Sequence, residues 1–150
     1  MPSNKQIVIN TGPIISLIAA RQGLDFLNSL YKNIIIPKEV VDEINEGGES
    51  GFGIEEFSNC NFFNKQKNET NLKPHLKNSL DIGEASVIQL ALDKNINLVA
   101  IDESVGRRIS RLYDLKVTGS IGILLRALKE GYDISIIDAI KNMQNRGIYI

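Results

Sequence analysis

The chain has 150 residues, 43% of them hydrophobic, with a single cysteine, Cys60, as suits one globular domain over 1–150 that buries about 68–70% of its unfolded surface and needs no disulfide. A formal net charge of -1 excludes a strongly basic nucleic-acid-coating protein, whose affinity would come from neutralising many phosphates, but not a nuclease with a local basic rim. No apolar run approaches the ~20 residues that span a bilayer, and the polar start Met1-Pro2-Ser3-Asn4-Lys5-Gln6 is no signal peptide, so a reducing cytoplasmic setting without membrane is expected.

Residues 6–10 form an apolar run that predicts a first strand, and Thr11-Gly12-Pro13 opens a helix, with proline where the first amides lack partners anyway. Leu24, Phe26, Leu27, Leu30 and Tyr31 have helical spacing and predict the second helix of a hairpin. Asn33 to Pro37 is a short buried strand, followed by a helix from Lys38 to about Asn45 with Val40, Val41 and Ile44 inward. The glycine-rich stretch 47–53 reads as a flexible insertion, with a short strand around 61–63 and a polar linker over 65–79.

Asp81, followed three residues later by Glu84, matches a helix-opening capping box, and that helix runs to about Lys94. A strand at 97–101 stops at Asp102-Glu103, and a helix to about Tyr113 is expected to turn Val105, Ile109 and Leu112 inward. A last short strand at 116–118, a helix from Ser120 stopped by Gly131, a final helix from Ser135 to Asn145 and an edge strand over 147–150 complete the chain. Apolar runs without polar alternation suit strands buried on both faces, so the alternating rhythm predicts an α/β fold around a parallel sheet. Ligands of such sheets bind beyond the carboxyl ends of the strands.

Four polar positions are placed to converge there: Asn10, Glu43, Glu84 and Asp102. Three also have structural readings, Asp102 and Glu84 as helix caps and Asn10 as a turn former, each worth ~1 kcal/mol. Glu43 has no cation three or four residues away, whereas Asp42 has Lys38 in the preceding turn. Two carboxylates ~4 Å apart repel by ~4 kcal/mol at an effective dielectric of 20, so three converge only with protons or a metal between them. Oxygen donors without histidine or thiol select magnesium or manganese.

The blocks IVINTGPIISL, IIPKEVVDEI, LDIGEASVIQLAL, LVAIDESVGRRIS and LKVTGSIGILLRA resemble the PIN domain, a metal-dependent ribonuclease fold that includes VapC-type toxins of bacterial toxin–antitoxin pairs. The likeness covers nearly the whole chain, within a little-characterised prokaryotic branch. It implies a three-layer α/β/α sandwich around a parallel sheet ordered three-two-one-four-five, often in a homodimer. It also implies hydrolysis of single-stranded RNA with Mg2+ or Mn2+, and a cognate antitoxin as partner. The family's four acidic positions fall on Asn10, Glu43, Glu84 and Asp102, of which the last three would hold metal. Thr11, Ser104 and Ser120 match its small hydroxylic positions, and Glu103 is either an extra ligand or a first-turn acid favoured by the helix dipole. Arg107, Arg108 and Arg111 are candidates to clamp the RNA backbone. Asn10 departs from the usual aspartate, which leaves a catalytically degenerate RNA- or protein-binding module as the alternative. A receiver domain lacks its paired acids after the first strand, and Thr11-Gly12-Pro13 is no dinucleotide-binding fingerprint. His75 and Cys60 receive no catalytic role.

Overall fold

A computed structural model describes residues 5–21, 23–48 and 50–148. Strands β1 (Gln6–Ile9), β2 (Asn33–Ile36), β3 (Phe63–Lys65), β4 (Leu98–Ala100) and β5 (Lys116–Thr118) form one sheet in the order β3-β2-β1-β4-β5, with every pairing parallel. The described helices are α1 (Thr11–Ala20), α2 (Asp25–Leu30), α3 (Lys38–Glu46), α4 (Ile54–Asn59), α5 (Pro74–Ser79), α6 (Ile82–Asp93), α7 (Ser104–Leu112), α8 (Ser120–Lys129) and α9 (Ile136–Asn145). This is the three-layer α/β architecture expected from the resemblance.

The central strands are apolar beyond their first residue because those positions do not meet water: Ile7, Val8 and Ile9 are fully buried, as are Val99 and Ala100. Helices α1, α2, α8 and α9 pack among themselves, and a second group, α3, α5 and α7, surrounds α6. Helix α6 buries every residue from Gly83 to Ala91, which explains an apolar stripe too broad for a surface helix. Pairing continues past the strand ends. Asn10 N–H donates to Ala100 O at 3.0 Å and Ile101 N–H to Thr118 O at 3.0 Å, which locks the turns after β1 and β4 side by side.

Several expectations are corrected. Helix α7 faces the core with Gly106, Ser110 and the partly buried Ile109, the last as expected, whereas Val105 and Leu112 are 45% and 75% exposed. Small residues allow a close approach here: a Cβ at Gly106 would stand 2.9 Å from Ile101 Cγ2. Ser110 Oγ donates to Gly106 O at 2.7 Å, so the inward hydroxyl is satisfied within its own helix. The 47–53 insertion leads into α4, and the polar linker contains α5, both absent from the sequence reading. The third strand begins at Phe63 rather than ending there. The proposed C-terminal edge strand includes residues 149 and 150, which lie outside the described residues, and its described part, 147–148, is not strand.

Candidate active site

The carboxyl ends of β1, β4 and β5 meet the N-termini of α1, α6, α7 and α8, and acidic side chains gather at that edge. Asn10 is the N-cap residue of α1 yet makes no side-chain cap bond. Its amide reaches α6 instead: a Cβ at Gly83 would stand 3.1 Å from Asn10 Oδ1 and 3.0 Å from Glu43 Oε2. Gly83 is therefore the floor on which residues from α3 and the end of β1 converge. A side chain there would displace both oxygens.

Asp81, Glu84 and Glu103 form a compact trio, each offering a carboxylate oxygen within 4.8 Å of the others. Asp81 caps α6, accepting from Glu84 N–H at 2.8 Å. Only this half of the capping box forms, since Glu84 Oε1 is buried without a hydrogen-bond partner. Glu103 occupies the N-cap of α7 without using its side chain there, so its carboxylate remains available to the trio. A buried, unpartnered carboxylate oxygen beside two further carboxylates is costly unless protons or a cation compensate it. The oxygen-only donor set fits a hard divalent ion.

The electrostatics agree. Glu84 is only 3% exposed, and burial first, then contact with Glu103 and the charge of Asp81, push its pKa up to about 8. Glu43 is an exposed residue, but its carboxylate end turns toward Gly83. Desolvation there, followed by the Asp81 charge, raises its pKa above the usual carboxylate range. The Thr11 hydroxyl, buried and outside hydrogen-bond geometry with any partner, opposes that rise.

Asp102 is held differently. Its Oδ1 accepts from Ser120 N–H at 2.7 Å, and its Oδ2 accepts from Ser120 Oγ at 3.1 Å, so it caps α8 rather than its own helix. It still borders α1, since a Cβ at Gly12 would stand 3.9 Å from Asp102 Oδ2. Arg107 donates to Ile101 O at 3.0 Å and lines, with Asp102, Thr118 and Ser120, a cavity of about 530 Å³. Arg108 and Arg111 are exposed on α7. Ser104 begins α7. His75 stacks on Tyr113 with ring centroids 5.7 Å apart, away from the acidic trio.

Of the residues singled out from sequence, the structure brings Asn10 and Glu43 together over Gly83 and places Glu84 in the adjoining trio, with Asp102 on the neighbouring rim. Asp81 was overlooked because its capping role accounted for it fully. The available signal was an aspartate and a glutamate on one helix start, both facing a strand end.

The upward shift of Glu84 has a consequence for metal-free protein. The folded state retains a proton on Glu84 that the unfolded chain releases near the ordinary value of 4.5. This source of stability is complete below that value and is lost as pH rises toward about 8. In EDTA, the melting temperature is expected to fall between pH 5 and pH 8.5, and Glu84→Gln should flatten the fall. A wild-type melting temperature that is level or rises across this range would contradict the assignment.

A five-stranded parallel sheet with carboxylates gathered at its carboxyl edge defines an α/β domain with an acidic strand-end site. A family model described as PIN domain matches residues 6–150, and the chain belongs to the PIN-domain family. No curated protein and no solved structure matches it. Among the described residues, no helix is long and apolar enough to cross a membrane.

Proposed function

We propose that this chain, as one domain over 1–150, is a metal-dependent ribonuclease that hydrolyses phosphodiesters of single-stranded RNA. In this reading it is the toxin of a prokaryotic toxin–antitoxin pair and works in the cytoplasm. The observation that carries the reading is the buried Glu84 carboxyl, whose Oε1 has no hydrogen-bond partner, set beside Asp81 and Glu103 at the strand ends. Glu84, Glu43 and Asp102 are assigned as metal ligands, with Asp81 and Glu103 as additional donors. Mg2+ or Mn2+ bound there would supply a Lewis acid and an activated water.

The chain's own residues supply position and polarity. Asn10 contributes a neutral oxygen where family members usually carry aspartate, lowering the local negative charge by one. Ser120 fixes the orientation of Asp102, and Thr11 sits against Glu43. Arg107, tied to the end of β4, is placed to face a backbone phosphate, and Arg108 and Arg111 extend the basic surface along α7. The solvent-facing Val105 and Leu112 on that helix support burial against a protein partner, either a second copy in a homodimer or the cognate antitoxin.

The test is incubation of purified protein with single-stranded RNA and Mn2+, with EDTA as control. Cleavage that leaves a 5′-phosphate is expected, and Asn10→Asp should cleave at least as fast. Asn10 also favours a second reading, a degenerate module that binds without cutting. That reading gains if wild type is inert while Asn10→Asp cleaves. If neither cleaves, the ribonuclease assignment fails.

A further inference from the structure

A cavity of about 850 Å³ adjoins the acidic site, sharing Thr11 and Glu43 with it and extending between α3, the loop before α4 and the end of α9. Its volume is within the range of small-molecule pockets, about 300–1,000 Å³. Ile15 and Ile44 line it, together with Phe52, and the Arg146 guanidinium lies over the Phe52 ring at 3.5 Å from the centroid. We infer that this cavity seats one nucleobase of the single-stranded substrate, stacked against the Arg146–Phe52 pair next to the scissile phosphate. The inference rests on the RNA-cleaving reading and specifies where that substrate is gripped.

Three features select a base over other occupants. First, the cavity opens directly onto Glu43, so whatever fills it is contiguous with a phosphodiester at the acidic edge. Second, Glu43 and Glu46 both line it against the one guanidinium of Arg146, which leaves the lining with a net negative charge that favours an uncharged ring over a phosphate. Third, an aromatic ring and a guanidinium plane are the surfaces on which unpaired bases stack, with little demand on sequence. Arg108 and Arg111 on α7 are exposed instead, and there the phosphates remain in solvent. A base in the pocket and phosphates along the rim together orient the strand.

The test uses single-stranded RNA oligomers, each with 2-aminopurine at one position, titrated into full-length protein with Ca2+ in place of the catalytic ion. In wild type, one position should be quenched strongly relative to the others. Phe52→Ala and Arg146→Ala should lose that quenching and bind about 10- to 100-fold more weakly. Arg146→Lys, which keeps the charge but not the plane, should behave as Arg146→Ala does. Thermal unfolding checks the fold of Phe52→Ala, and the exposed Arg146 provides variants independent of it. Wild-type affinity and quenching in Arg146→Lys, or no RNA binding by wild type, would overturn the inference. A quenched base lost in the variants, with no hydrolysis in Mn2+, would uphold the pocket and defeat only the ribonuclease assignment.

Discussion

Glu84→Gln is expected to reduce Mn2+-dependent RNA cleavage by on the order of 100-fold or more while leaving the protein folded. Glutamine preserves the shape of a side chain that is 3% exposed but removes the charge, so packing against Gly106 survives and the anionic ligand does not. The same substitution removes the destabilising ionisation of metal-free protein. One variant should therefore be less active than wild type and, in EDTA at pH 8, more stable. That opposite movement distinguishes a ligand from a structural carboxylate, whose loss would lower both. Initial rates on single-stranded RNA and melting curves on the same preparation read the two effects. Cleavage within threefold of wild type would remove Glu84 from the site.

Phe57→Ala should cost about 3–5 kcal/mol of stability, the largest loss from any single side chain considered. Phe57 is fully buried, although it sits on a helix of only six residues. Its ring lies 5.3 Å from that of Phe63 on the edge strand β3, with the Lys65 ammonium 4.1 Å from its centroid on the same side chain cluster. Truncation would leave a cavity between α4 and β3 that neither short element can close. Equilibrium denaturation by urea gives the value, and a loss below about 1 kcal/mol would show that α4 is only loosely docked.

That helix also shows where sequence reading stopped. Central strands were legible because burial on both faces leaves continuous apolar runs such as Ile34-Ile35-Ile36, and α6 was legible from its Asp81 cap and wide apolar face. Helices α4 and α5 bury one residue each, Phe57 and Leu76, so no 3.6-residue period exists to be read. They are helical because those anchors dock. In α7 the periodicity was real but its direction was misleading. Val105, Ile109 and Leu112 do lie on one stripe, but only Ile109 packs against the core, and the buried positions are Gly106 and Ser110, which no hydropathy pattern marks as core.

The site divides along the same line. Asn10, Glu43, Glu84 and Asp102 could be chosen from chain position at strand ends and helix starts. Which of them share a cluster depends on side-chain direction. Asp102 turns toward Ser120, and Glu103, left open between ligand and first-turn acid, turns toward Glu84. Asp81 was hidden because a capping aspartate needs no further explanation.

The ladder that runs beyond the strands has a dynamic consequence. Because the Asn10 amide is bonded to Ala100 between the inner strands β1 and β4, its solvent exchange requires those strands to separate, whereas the Ile101 amide, bonded to Thr118 on the edge strand β5, is released when β5 alone detaches. Deuterium uptake at Asn10 should be as slow as in the middle of β1 and faster at Ile101, so the acidic edge is anchored at the first strand and loosens from the β5 side.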